Sequence, residues 1–214
     1  MNSRLRIRLT VAGVVLCVLA IVSYRVAHVI FPNAWLPKTA DYFQTKSDIK
    51  RVDPHTYDTE WFDAARAGRQ DITRALLQAG YPVNLQGDSG YTAVILATYH
   101  GQADEVSMLL QAGADPCLPD HNGNTALMGA LFKGEEGVAG QLLGHCPVDQ
   151  VNNTGQTALA FAALFGRLDM ITRLVANGAD PRHLDAKGNS ALTIVEKQGN
   201  LQAAAALRAV GAQD

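Results

Sequence analysis

The sequence lacks the residue patterns that most catalytic and metal sites need. Its six histidines include no H-E-x-x-H pair, its three cysteines form no C-x-x-C or mixed cysteine–histidine cluster, and no serine lies in a G-x-S-x-G context. Acidic neighbours such as Glu135 and Glu136 point in different directions on a helix and cannot share a proton. We therefore predict a protein that is not an enzyme, with no catalytic residue, metal ligand, cofactor or small-molecule substrate.

Positive charge is also scarce over most of the chain. Residues 57–214 contain 10 Lys and Arg against 17 Asp and Glu, whereas residues 1–56 contain 8 against 3. An acidic domain repels phosphate backbones, which excludes nucleic acid as the expected partner. The basic end lies beside an apolar run, and this combination favours contact with anionic lipid.

The apolar run predicts a membrane segment. Residues 9–24 are uncharged, Arg25 follows, and a second apolar patch ends at Phe31. As a helix, residues 9–31 would reach about 35 Å, enough for a hydrocarbon core of roughly 30 Å, with Arg25 close enough to the boundary to extend its side chain outward. We predict a single-pass signal anchor there, which places the lipid bilayer among the partners.

The flanks of this segment predict its orientation. Arginines crowd residues 1–8, so that tail is expected in the cytoplasm and the large domain on the other side of the membrane. Residues 32–56 contain three prolines and are interpreted as a linker. A cleaved signal peptide is the alternative, although no A-x-A-like site follows the apolar run.

The cysteines leave one question open. Cys17 lies in the apolar run after Leu16, a context that does not favour lipidation. Cys117 and Cys146 could form a disulfide in an oxidising compartment. The interpretation that we favour from the sequence is two separate small hydrophobic residues.

Residues 57–214 repeat with a period of about 33. Four segments open with glycines that are 33, 32 and 33 residues apart, and a degenerate first copy begins near Thr59. The four are Gly90-Tyr91-Thr92-Ala93-Val94, Gly123-Asn124-Thr125-Ala126-Leu127, Gly155-Gln156-Thr157-Ala158-Leu159 and Gly188-Asn189-Ser190-Ala191-Leu192. The predicted repeats cover residues 57–89, 90–122, 123–154, 155–187 and 188–214.

Each repeat predicts two helices and a turn. The Thr or Ser can cap the first helix, a mid-repeat glycine can end it, and an acid such as Asp71 can cap the second helix or complement its dipole. The second helix carries apolar residues at i, i+3 and i+4 spacing, as in Val106, Leu109 and Leu110. The third repeat is one residue short near Gly144, where its closing turn is expected to deviate.

The G-x-T-A-L and G-A-D-P motifs at fixed offsets resemble ankyrin repeats. The resemblance implies an all-α solenoid of about five repeats with hairpin turns between them and a protein partner on a concave face. One departure is that the family's T-P-L-H becomes T-A-V-I, T-A-L-M, T-A-L-A and S-A-L-T. The first and last repeats are predicted to be caps, because a terminal repeat buries only one side.

The positions that face the partner in this family can be carried over residue by residue. Tyr99, Phe132 and Leu164 share one repeat position and predict an aromatic and apolar stripe, with packing against the next repeat as the alternative to binding. The helix-end pairs are Tyr99-His100, Phe132-Lys133 and Leu164-Phe165. The turn-tip residues are Asp88, Ser89 and Tyr91, then His121, Asn122 and Asn124, then Asn153, Thr154 and Gln156.

The layout also resembles single-span ankyrin proteins of bacteria. That resemblance implies an inner-membrane anchor with a periplasmic adaptor domain and, as partner, a stress-defence enzyme such as a catalase. Two alternatives stay open: an immunity protein that neutralises a periplasmic or membrane-active toxin, and a purely structural tether.

Overall fold

The computed structural model describes residues 55–213, which form ten α-helices in five consecutive pairs and no β-strand. The predicted tail, membrane anchor and all but the last two residues of the linker lie outside the described residues. None of these ten helices has the length and hydropathy that a membrane span requires. The helices are α1 Asp58–Ala67, α2 Gln70–Gln78, α3 Ala93–Tyr99, α4 Ala103–Gln111, α5 Ala126–Lys133, α6 Glu136–Leu142, α7 Ala158–Leu164, α8 Leu168–Ala176, α9 Ala191–Lys197 and α10 Leu201–Ala209.

The first helix of four repeats begins at a hydroxyl cap. The Oγ1 atoms of Thr92, Thr125 and Thr157 accept hydrogen bonds from backbone N–H groups three residues later, at 3.3, 3.4 and 3.3 Å. Ser190 does the same at 3.0 Å. These bonds satisfy N–H groups that the first turn leaves free, and the predicted capping is confirmed.

A glycine ends the first helix and lets the chain turn back. Gly68 and Gly134 adopt φ of 66° and 84°, values that a residue with a Cβ rarely adopts. In the first four repeats the second helix then starts without a side-chain cap, since N-cap residues such as Arg69 make no such bond. Of the second helices only α10 is capped, by Asn200 Oδ1, which accepts from the backbone N–H three residues later at 3.1 Å. Asp71 lies inside the first turn, where its charge complements the helix dipole.

The core follows the second helices along the stack. Leu109, Leu142, Leu174 and Leu207 occupy the same repeat position and are at most 2% exposed. Leu76 holds this position in the first repeat and is only half-buried, because no repeat covers its outer side. Small residues on the first helices, Ala97, Ala130 and Ala163 among them, are fully buried and permit close packing.

The closing turn of the third repeat deviates, as its missing residue predicts. α6 ends at Leu142 after seven residues, and its C-cap Leu143 is extended (φ −63°, ψ 128°), whereas Ala112, the C-cap of α4, stays helical (φ −78°, ψ 0°). Cys117 and Cys146 form a disulfide with their Cα atoms 5.5 Å apart. The preference for two separate small hydrophobic residues was therefore wrong. The pairing depends on how one shortened turn lies against its neighbour.

This disulfide occupies the position of a hydrogen bond in the neighbouring interfaces. The N–H of Asp115 donates to Asn84 Oδ1 at 2.8 Å, and the N–H of Asp180 donates to Asp149 Oδ1 at 3.1 Å. Cys146 stands two residues after the turn glycine, as Asp115 and Asp180 do. The first four repeats are thus joined at one register position, by a disulfide between the second and third and by a hydrogen bond at the other two interfaces.

Candidate protein-binding site

The tips of the hairpin turns are fixed by internal hydrogen bonds. Asp120 Oδ1 accepts from the N–H groups of Asn122 and Asn124, both at 2.8 Å. Asn152 Oδ1 accepts from those of Thr154 and Gln156, both at 3.0 Å. An acceptor three residues before the tip glycine therefore sets the shape of each of these two tips.

Adjacent tips also bond to one another. The N–H of His121 donates to the Ser89 carbonyl, and the N–H of Asn153 to the Asn122 carbonyl, both at 3.0 Å. Glycine is required beside these bonds: a Cβ on Gly123 would lie 2.6 Å from the Asn153 nitrogen, and the φ of Gly123 is 82°. The tips thus form one continuous hydrogen-bonded edge with predefined spacing.

Five aromatic side chains of repeats two to four contact one another in a line. We call Tyr91, Tyr99, Phe132, Phe165 and Phe161 the aromatic row. Successive ring centroids in this order lie 5.8, 6.2, 4.9 and 5.8 Å apart, and the contact between Phe132 and Phe165 is edge-to-face. These separations suit the attraction between ring edges and faces, so the row is built before any partner arrives.

Neighbouring residues hold two of these rings in place. Tyr99 lies over Gly129 of α5, where a Cβ would come within 2.5 Å of its ring. Burial raises the pKa of the Tyr99 hydroxyl to about 12. Arg167 donates to the carbonyls of Leu131 and Phe132 at 3.0 and 3.4 Å, which fixes the end of α5 under the Phe132 ring. Phe132 itself is 44% exposed.

The row and the tips enclose an open groove of about 430 Å³, which we call the aromatic groove. It brings together nine residues predicted from the sequence: Tyr99, Asn122, Asn124, Phe132, Asn153, Thr154, Gln156, Leu164 and Phe165. None of the described residues that line it carries a charge. Apolar rings on one side and amides on the other suit a partner that is apolar and also forms hydrogen bonds.

The other predicted residues lie elsewhere. Asp88, Ser89 and Tyr91 line a second depression, which also includes Phe62 and Leu96. His100, His121 and Lys133 are exposed and line neither depression. The predicted set therefore divides into a main groove on repeats two to four and a smaller one at repeats one and two.

Sequence reasoning missed two residues of the aromatic groove, Asn152 and Phe161. Asn152 stands three residues before Gly155, as Asp120 stands before Gly123, and its Nδ2 also donates to Asn124 Oδ1 at 3.0 Å. Phe161 lies four residues before Phe165, a spacing that brings side chains together on a helix. Both signals were present in the sequence as repeat position and helical spacing.

Comparison with known proteins agrees with the architecture. The profile described as ankyrin repeats (three copies) matches residues 61–145 and 131–213. An ankyrin repeat protein of Pseudomonas aeruginosa is 47% identical over 45 residues, which are 21% of this chain and 26% of that protein. The match thus spans about a quarter of the relative's length. Ankyrin repeats are protein–protein interaction modules, and this chain belongs to the ankyrin repeat family.

Proposed function

We propose that the protein is a membrane-anchored scaffold that binds another protein in the aromatic groove. The observation that carries this proposal is the groove itself, in which the exposed Phe132 ring is flanked by side-chain amides. Aromatic anchors surrounded by polar groups dominate the free energy of many protein interfaces. A preformed row also lowers the entropy cost of binding, because its rings are already held by their neighbours.

In this proposal residues 9–31 span a bacterial inner membrane and the repeat domain faces the periplasm. The disulfide between Cys117 and Cys146 supports this placement, since disulfides persist in oxidising compartments and are rare in the cytosol. The arginines of residues 1–8 support the same orientation. A reporter that is active only outside the cytoplasm, fused after residue 214, should be active. An inactive fusion would overturn the proposed compartment.

The proposed partner is a stress-defence enzyme such as a catalase, for which the scaffold would provide a fixed position at the membrane. The acidity of residues 57–214 supports a second candidate, a basic toxin that the domain neutralises. Gene order separates the two: a neighbouring enzyme gene favours the scaffold, and a neighbouring secreted effector favours the immunity protein.

Capture with matched variants tests the groove. Full-length protein, Phe132→Ala and Leu201→Ala would each be immobilised after purification in detergent. Leu201 is the control because it is 79% exposed on α10 and lies outside the groove, so both variants remove an exposed apolar side chain. We expect one protein to bind the wild type and Leu201→Ala and to be lost from Phe132→Ala. An identical set of bound proteins on all three would exclude the groove as the binding site.

A further inference from the structure

We infer that an extended polypeptide segment of about eight residues binds along the first helices with its centre in the aromatic groove. Its centre is uncharged with an aromatic or large aliphatic side chain, and opposite charges stand at its two ends. This inference rests on the proposed protein-binding function and specifies the segment that the partner presents.

The length of the segment follows from the stacking of the first helices. α3, α5, α7 and α9 contact one another in sequence order. Packed helices lie about 8–10 Å apart, so three steps from α3 to α9 cover roughly 24–30 Å. An extended chain rises about 3.3 Å per residue, which gives about eight residues over this distance.

The centre of the segment is defined by what lines the groove. Apolar rings take an apolar side chain and exclude ionised ones, because no charge lies in the groove to offset the loss of hydration. The side-chain amide of Asn122 and the Nε2 of Gln156 make no hydrogen bond within residues 55–213. An extended backbone has N–H and carbonyl groups that need partners once buried, and such amides supply both donors and acceptors.

The ends of the segment are defined by the charges beyond the groove. Asp88 is exposed at the tip before Gly90, and Asp58 lines the same depression, where Arg66 is already paired with Asp63. At the opposite end, Lys197 holds the repeat position of Tyr99, Phe132 and Leu164.

Lys187 lies in the last tip, whose Ala186 N–H donates to the Thr154 carbonyl at 3.0 Å. The neighbouring Asp185 carboxylate accepts the N–H groups of Lys187 and Asn189 and offsets the Lys187 charge. Lys197, whose Nζ donates to Asn189 Oδ1 at 2.8 Å, therefore supplies the net positive charge at this end. A cation of the segment therefore lies towards Asp88, and a carboxylate towards Lys187 and Lys197.

The test is selection from a random nonapeptide library on the full-length protein in detergent. We expect enriched peptides with an uncharged aromatic or aliphatic centre and opposite charges at their ends in one fixed order. The triple variant Asp88→Lys, Lys187→Glu, Lys197→Glu should enrich peptides of the reverse order. The best wild-type peptide should bind Phe132→Ala at least tenfold more weakly and bind Leu201→Ala with unchanged affinity.

Three outcomes would overturn the inference: no enrichment, charged centres, or the same charge order on the triple variant. A dimer in sedimentation that Phe132→Ala dissociates would also overturn it, because the occupant would then be a second copy. If a captured protein depends on Phe132 while no such peptide is enriched, the scaffold function stands and only the segment is wrong. If capture is insensitive to Phe132→Ala, the proposed function itself fails.

Discussion

Two neighbouring interfaces of the stack place different side chains at equivalent positions. We call the interface between repeats one and two the first interface, and the one between repeats two and three the second interface. In the first, Thr73 donates to the carboxylate of Glu105, both residues are buried, and Glu105 Oε2 makes no hydrogen bond. In the second, the same positions hold Val106 and Val138, buried in the apolar core. The second interface also carries the disulfide, where the first has the Asn84 hydrogen bond.

This difference places the stronger of the two interfaces where the aromatic groove lies. The disulfide joins the closing turns that lead into the tips at residues 120–124 and 152–156, and Gln150 Nε2 adds a bond to the Cys117 carbonyl at 2.9 Å. In a repeat array, stability is close to a sum of nearest-neighbour terms. The first repeat should therefore open before the groove does, and the comparison can be tested one interface at a time.

Removing the disulfide should have the largest effect. Cys117 and Cys146 are separated by 29 positions, and closing a loop of this size stabilises the folded state by about 3–4 kcal/mol through the entropy of the unfolded chain. Cys117→Ala with Cys146→Ala should lower the free energy of urea unfolding by that amount. Cys17→Ala is the matched control and should leave the transition unchanged. Equal midpoints for the double variant and the wild type would contradict the stronger second interface.

The sequence predicts the helices well because their signals are local. Capping hydroxyls such as Thr92 and turn glycines such as Gly68 act within four residues of themselves, so their spacing is enough to place both helices of a repeat. The stripe through Tyr99 and Phe132 was also predictable, because residues at one repeat position lie on the same face of the stack. Whether that stripe binds a partner is still a prediction.

The disulfide and the buried carboxylate were not predictable in this way. The pairing of Cys117 with Cys146 depends on a tertiary distance across a shortened turn, and 29 positions of sequence separation do not fix that distance. Glu105 follows Asp104 in a polar helix start, and only the packing of α2 against α4 reveals that it is 1% exposed. The need for glycine at position 129 was likewise not predictable, because it arises only from the Tyr99 ring of the preceding repeat, which lies over Gly129.

A pair of glycine variants tests the contact between Gly129 and Tyr99 in the second interface. In Gly129→Ala the added methyl group meets the Tyr99 ring, and overpacking of this kind costs about 1–3 kcal/mol, partly offset by roughly 1 kcal/mol of helix propensity. We expect a net loss of up to about 2 kcal/mol in the free energy of urea unfolding, with displacement of Tyr99. Gly137→Ala in α6 meets nothing within 4 Å and should stabilise the protein instead. Stabilisation by both substitutions would show that the Tyr99 contact contributes little to this interface.

The smallest predicted effect concerns Glu105 in the first interface, where a substitution should raise the free energy of unfolding instead of lowering it. Burial raises the pKa of its carboxyl, so the folded state favours the neutral form. The stability that this contributes is present below the unfolded pKa, which is near 4.5, and it falls as the pH rises towards the folded pKa. Glu105→Gln keeps an acceptor for Thr73 and removes the buried charge. It should raise the free energy of unfolding at pH 7 by about 1 kcal/mol and flatten its dependence on pH above 4.5.

Asp104→Asn is the control for that substitution. Asp104 is exposed one residue earlier in the first turn of α4, so its loss removes a favourable charge near the helix dipole and should not stabilise the protein. Unfolding followed from pH 4 to pH 8 would separate the two variants. If Glu105→Gln destabilises the protein at pH 7, the ionised carboxylate stabilises the folded state. The buried charge would then not explain why the first interface is weaker than the second.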